Sequence, residues 1–243
     1  MNALTNLAYD NSIQQEKDTL GGGRTLLESG AVIATIKVAY LETSRNGALG
    51  LNLTFDINGA EYKETLWMTN RDKQNFYKDS RSGEKRYLAG FLHADAIALL
   101  ASGKSISEQP TEKKIVKVFN YEQKKELPTE VDCLTELHGK QIQLGILKER
   151  SFKREKQSDG SYAETADTQD SNLIDKVFHA THGKTVAECR AQVEEAEFIH
   201  GWKAKWTGEV RDRTQGKTPN GGQTGQAGAP KAAANKTTTS LFN

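Results

Sequence analysis

The sequence predicts a mainly β fold, and three observations carry that reading. Residues 30 to 70 fall into three strand-like runs separated by two Asn-Gly pairs, the strongest short-range hairpin signal. One helical segment follows, over Ala94 to Ala101, and stops at Gly103. Strand segments then resume and end in a long one, Gln141 to Phe152, where Ile142, Leu144 and Ile146 recur at period two. Three strands, a helix and two more strands is the order of a five-stranded OB-fold barrel with an inserted helix.

Each element has its local reason. Ala31 to Leu41 is rich in β-branched and apolar residues, and Ser44-Arg45-Asn46-Gly47 reads as a turn. In Ala48 to Ile57, the residues Leu49, Leu51, Leu53, Phe55 and Ile57 share one face, and Asn52 and Thr54 the other. Asn58-Gly59 makes a second turn into a strand over Glu61 to Thr69. Residues 113 to 121, KKIVKVFNY, read as a fourth strand, and Glu130 to Leu137 as a short strand or extended loop. Asp159 to Asp175 reads as an acidic, turn-rich excursion. Lys184 to Trp206 has helical character, with Thr185 as cap and Glu188 three residues on, the spacing of a capping box. Residues 1–26, ending in Gly21-Gly22-Gly23, read as a flexible arm, 27–213 as the folded domain and 214–243 as a disordered tail too poor in apolar residues to offset its ordering entropy.

Composition excludes several classes. The 243 residues carry a net charge of +1, and no run approaches the roughly 18 to 20 apolar residues of a membrane span. The N-terminus has no basic region followed by an apolar run, so no signal peptide is read. Cys133 and Cys189 stand apart, without a CxxC or a disulfide framework, which fits a reducing cytoplasm. Gly183-Lys184-Thr185 ends like a phosphate-binding loop, but Phe178 stands where its first glycine belongs; Gly216-Lys217-Thr218 fails likewise at Arg211. His179 and His182 lack companions at metal-site spacing, and Cys133 reads as a half-buried strand thiol. No catalytic residue, metal ligand or cofactor is therefore expected.

What remains is charge and rings. Arg71 to Tyr87 holds six bases (Arg71, Lys73, Lys78, Arg81, Lys85, Arg86) against three acids, interleaved with Phe76, Tyr77 and Tyr87. A core wants the rings without the cations, and a solvated loop the reverse. A surface for single-stranded nucleic acid wants both: rings stack on bases of any sequence, and cations neutralise phosphates. Trp67 shares a strand face with Lys63, Thr65 and Thr69, so it stands either on an exposed sheet surface or over the end of the core. Lys148 to Lys156 is basic too, with Lys148, Arg150, Phe152 and Arg154 on one face and Lys153 between them. These three patches are expected to converge on one barrel face.

The segments LLESGAVIATIKVAYLETSRNGALGLNLTF, WMTNRDKQNFYKDSRSGEKRYLAGF, LTELHGKQIQLGILKERSFKRE, DKVF and FIHGWKAKWTGEVRDR, spread over residues 26 to 213, resemble bacteriophage single-stranded-DNA-binding proteins of the OB-fold type. The resemblance implies a non-enzymatic protein that coats single strands during phage DNA replication, recombination and repair, in the cytoplasm of the infected bacterial host. Its implied partners are single-stranded DNA and phage replication or recombination proteins. Cation patches alone do not separate single strands from duplex, so duplex DNA stays as an alternative partner. A protein-interaction module using the same rings is the alternative of another class. The tail departs from the acidic tails of many such binders: it ends TTTSLFN, and Lys217, Lys231 and Lys236 stand where acids would be.

Overall fold

The computed structural model describes residues 26–120, 122–158 and 160–219. Most of the expected N-terminal arm and C-terminal tail lies outside them.

The meander forms as its pattern requires. Strands β1 (Gly30–Thr43), β2 (Leu49–Ile57) and β3 (Ala60–Trp67) pair antiparallel in sequence order. At the second turn Asn58 and Gly59 both have positive φ, 54° and 84°, the pair that a two-residue type I′ hairpin demands, and Ile57 faces Ala60 across it. The period-two residues Leu51, Leu53, Phe55 and Ile57 are buried with Ala34, Ile36, Tyr62 and Leu66. Beyond β3 comes a small separate hairpin, β4 (Phe76–Lys78) with β5 (Lys85–Tyr87), which leads into helix α1 (Ala89–Ser102). This helix starts five residues earlier than the pattern suggested. It buries Ala94, Ile97 and Ala98 and ends at Gly103, whose φ of 77° lets its N–H reach the Leu99 carbonyl.

The expected fourth and fifth strands both form, but their places in the sheet differ from expectation. Residues 113 to 120 belong to a peripheral hairpin, β6 (Glu112–Asn120) with β7 (Lys125–Cys133), which among the described residues pairs with β1 at Tyr40 and Cys133. The strand that flanks β1 is β8 (Gln141–Lys156), antiparallel over Gly30 to Thr35. The acidic stretch is no turn-rich excursion: it is β9 (Tyr162–Phe178), antiparallel to β8 along most of its length. Its acids stand opposite the bases of β8, Asp170 facing Arg150 and Glu164 facing Arg154, and opposite charges across an antiparallel pair stabilise it. A short strand, β10 (Val210–Asp212), lies parallel to β8 just past the beginning of β1.

The sheet is not closed into a barrel. Among the described residues β3 and β9 form no backbone ladder. Glu64 stands in the seam instead: its carboxylate accepts the Ile174 N–H at 2.9 Å, and the Tyr62 hydroxyl donates to it. The β9 backbone is also out of step there. Gly145 pairs with Lys176 and Ile146 with Ile174, so Asp175 is the extra residue of a bulge, and a bulge disrupts the ladder locally. Asp175 is held in that position by Trp202 Nε1 at 2.8 Å and Arg211 at 3.0 Å.

The expected C-terminal helix is two short ones, α2 (Val186–Arg190) and α3 (Phe198–Trp206). The capping box is present: Thr185 Oγ1 accepts the Glu188 N–H, and the Glu188 carboxylate accepts the Thr185 N–H. That carboxylate also takes the N–H groups of Glu197 and Phe198 at 2.8 Å, tying the second helix to the first. Burial pushes its pKa up, but these backbone donors outweigh it and hold it down at about 2. Helix α3 places Ile199 and Trp202 against Leu147 and Phe178 in a second small core.

Candidate nucleic-acid interface

The outer face of the meander carries side chains in rows set by strand register. Val38, Thr54 and Lys63 form one row, Tyr40, Asn52 and Thr65 the next, and Glu42, Gly50 and Trp67 the last. In the middle rows Asn52 donates to Glu42 at 2.6 Å, and Thr65 donates to Asn52 at 2.5 Å. In the last row Gly50 leaves room for the indole: a Cβ there would stand 2.9 Å from the Trp67 ring. The ring is 42% exposed, which decides between the two readings of its position: it stands at the sheet surface. Lys63 pairs with Glu61 at 3.0 Å and Glu126 at 3.3 Å, and the hydrogen bond to Glu61 is the main reason its pKa is raised.

The basic-aromatic stretch folds as the β4–β5 hairpin. Its turn is built on Asp79, whose carboxylate accepts the N–H groups of Ser82 and Arg81; these two bonds hold its pKa below the usual range. Register pairs Phe76 with Tyr87, Tyr77 with Arg86 and Lys78 with Lys85. Alternation therefore divides the rings between two faces: Phe76, Tyr87, Lys78 and Lys85 on one, Tyr77 and Arg86 on the other. Tyr77 and Tyr87 are 46% and 57% exposed. Phe76 is half-buried, with Lys85 Nζ 4.5 Å from its ring centre, and Tyr87 leans on Phe91 at 5.2 Å. Of the cations, Arg86 is within 3.5 Å of Asp79 and 3.8 Å of Glu84, and Arg71 within 4.0 Å of Asp72. Among the described residues Lys73, Lys78 and Arg81 stand in no ion pair.

The hairpin adjoins Trp67. The chain passes from β5 into α1, and Gly90 in its first turn lies on the Trp67 backbone, where a Cβ would be 2.2 Å from the carbonyl oxygen. The third patch lies elsewhere. Trp67 is level with Gly50 and Glu42 near the end of β1, whereas Lys148 to Arg154 continue β8 past Gly30, the beginning of β1. The two are separated by some 14 strand residues, on the order of 45 Å of path. The three patches therefore do not converge on one spot.

Charge at this far end is largely balanced. Lys148 pairs with Glu28 at 2.9 Å, and Arg150 with Asp170 in a two-pronged bond of 2.8 and 3.0 Å that lowers the pKa of that acid. Lys153 is exposed. Phe152 and Arg154 line a cavity of about 650 Å³ with Tyr162, Gln169, Arg213 and Lys217. Tyr162 and Lys217 lie in segments whose sequence reads as an excursion and a tail, and Arg213 comes to this site through the pairing of β10 with β8, its N–H donating to the Arg150 carbonyl at 3.0 Å. The Asp159-Gly160 pair between a basic and an acidic run is the signal that points to this hairpin.

The rejected motifs have structural roles. Thr185 of the Gly-Lys-Thr triplet caps α2, and Lys184 donates to the Val193 carbonyl at 2.6 Å. His179 and His182 stack on each other at 4.7 Å, and no group of three metal-ligating side chains occurs among the described residues. Cys133 is fully buried, and burial raises its pKa. No described helix is long and apolar enough to cross a membrane. No protein-family model matches the chain, and no curated protein is significantly similar to it.

Proposed function

We propose that this chain binds single-stranded DNA without reading its sequence, through the outer meander face at Trp67 and the adjoining β4–β5 hairpin. One observation carries the reading: the edge of the meander and the hairpin that adjoins it carry exposed rings (Trp67, Tyr77, Tyr87) and, among the described residues, cations in no ion pair (Lys73, Lys78, Arg81). Stacking and phosphate neutralisation are the two tools of a sequence-tolerant single-strand binder.

Topology supports the same reading. With the β6–β7 hairpin set aside as an insertion, the order β1-β2-β3-α1-β8-β9 has β8 antiparallel to β1 and β9 running in the direction of β3. That order is the one expected of an OB barrel, which supports the reading; here, among the described residues, the sheet stays open between β3 and β9, and the Glu64 carboxylate reaches the Ile174 N–H across the gap. The resemblance to phage single-strand binders agrees, and with it a role in coating DNA during replication, recombination and repair in the host cytoplasm. The test is a fluorescence titration of oligo-dT and a matched duplex at two salt concentrations. Tight, salt-sensitive binding of the single strand and weaker binding of the duplex is the expected result.

A protein-interaction module is the second reading. It draws on the β6–β7 hairpin, where Ile115 is 76% exposed and Phe119 nearly half exposed. Binding that is indifferent to salt, with no response to oligo-dT, would favour it.

A further inference from the structure

The part of the β8–β9 pair that runs on past the beginning of β1 is bent. Between Phe152 and Arg154 the strand β8 advances two residues while its partner moves four, from Thr168 back to Glu164, so β9 carries two extra residues there. Such a bulge bends its strand and increases the local twist. The cavity of about 650 Å³ lies at this bend. Phe152 and Arg154 line it from β8, Tyr162 and Glu164 from β9, and Arg213 and Lys217 from the chain after β10. Its volume falls in the range of about 300 to 1,000 Å³ usual for ligand pockets.

The lining joins rings to an excess of cations. Three bases face one carboxylate, Glu164. Arg154 and Lys217 stand in no ion pair among the described residues, and the Arg154 guanidinium donates to the neutral Tyr162 carbonyl at 3.3 Å. Arg213 reaches Glu149 at 3.5 Å, but Arg211 already closes on that carboxylate at 2.6 Å. Tyr162 is 58% exposed and Phe152 half-buried, and neither packs on another ring among the described residues. The cavity thus repeats, at the other end of the sheet, the pairing of open rings with uncompensated cations found around Trp67. From Trp67, level with Glu42, to Arg154 the way leads along β1 to Gly30, across to Ile146 and on along β8. That is about 20 strand residues, on the order of 65 Å of path.

We propose that this cavity is a second single-strand site, separate from the one at Trp67, so that one chain holds two strands, or two stretches of one strand, at once. The inference rests on the single-strand reading and adds a second point of attachment to it. A base stacks on Tyr162, and Arg154, Arg213 and Lys217 take the flanking phosphates. A stacked single strand advances about 3.4 Å per nucleotide, so about six nucleotides cover about 20 Å and occupy one site without reaching the other.

Calorimetric titration of the full chain at low salt with oligo-dT of about six nucleotides tests this, with Trp fluorescence followed in parallel. Two equivalents are expected, one of which quenches Trp67. Replacing Arg154 and Lys217 together by Ala should remove the second equivalent and leave the quenching one. Tyr162→Ala should weaken the second equivalent by roughly 5- to 150-fold, the range for one stacked base. Replacing Lys78, Arg81 and Lys85 by Ala should weaken the quenching equivalent and leave the second unchanged. Thermal melts check that each variant folds, and Arg213 is kept because it pairs with Glu149. A single, quenching equivalent on the native chain overturns the second site while the single-strand reading stands. A second equivalent that survives at native affinity in either folded far-end variant overturns it as well. Failure of the oligonucleotide to bind at all overturns the single-strand reading, and the second site with it.

Discussion

Replacing Lys78, Arg81 and Lys85 together by Ala separates phosphate contact from ring contact at the hairpin. Lys78 and Arg81 have no acidic partner among the described residues, and Lys85 rests on the Phe76 ring, which leaves its charge intact. Each lost phosphate contact on a single strand lowers the slope of log affinity against log salt by roughly 0.7, so the triple change should make it shallower by about 2. Over about a fourfold rise in salt, that difference amounts to roughly a twentyfold change in relative affinity. Arg86→Ala should barely move the slope, because Asp79 and Glu84 already offset its charge. Tyr77→Ala and Tyr87→Ala should each weaken binding by about 1 to 3 kcal/mol where the ring stacks, with the slope nearly unchanged. The assay is a titration with oligo-dT at several salt concentrations, with circular dichroism for the fold. The hairpin is a small separate sheet, so these exposed substitutions should leave the core transition in place. If the triple variant binds with the native slope and affinity, the hairpin is not the contact surface. If the tyrosine variants unfold the domain, their rings are core and the reasoning fails at an earlier step.

Further outcomes follow from the same geometry. Trp67→Phe should remove most of the fluorescence quench on binding, because Trp202 is 5% exposed in the small core and Trp206 lies under Lys205; a quench unchanged by this substitution would refute the placement of the site. Gly90→Ala should destabilise the fold by roughly 1 to 3 kcal/mol in a denaturant melt, because the new methyl meets the Trp67 carbonyl, and a neutral result would show that the contact relaxes freely. Glu188 titrates near 2 in the folded chain against 4.5 when unfolded, so its contribution to stability is complete above about pH 5 and is lost as pH falls towards 2. Glu188→Gln should accordingly lower the melting temperature at neutral pH and flatten its fall over that acid range; parallel pH profiles for the two proteins would refute the assignment.

Whatever depends on neighbours along the chain was legible in the sequence. Alternation placed Leu51, Leu53 and Phe55 in the core and Asn52 and Thr54 outside it, because a strand turns successive side chains to opposite faces. The Asn58-Gly59 turn and the Thr185–Glu188 capping box are likewise local, since each is closed by atoms a few residues apart. The character of Tyr162 to Phe178 was not local. Those residues alternate poorly, and they form a strand because β8 offers a ladder and opposite charges at matching positions. The same pairing takes Arg150 out of the candidate binding surface, since Asp170, twenty residues on, offsets its charge. Tertiary structure also decided which patches lie together: the register of β8 on β1 carries Lys148 to Arg154 away from Trp67, and no spacing along the chain encodes that offset.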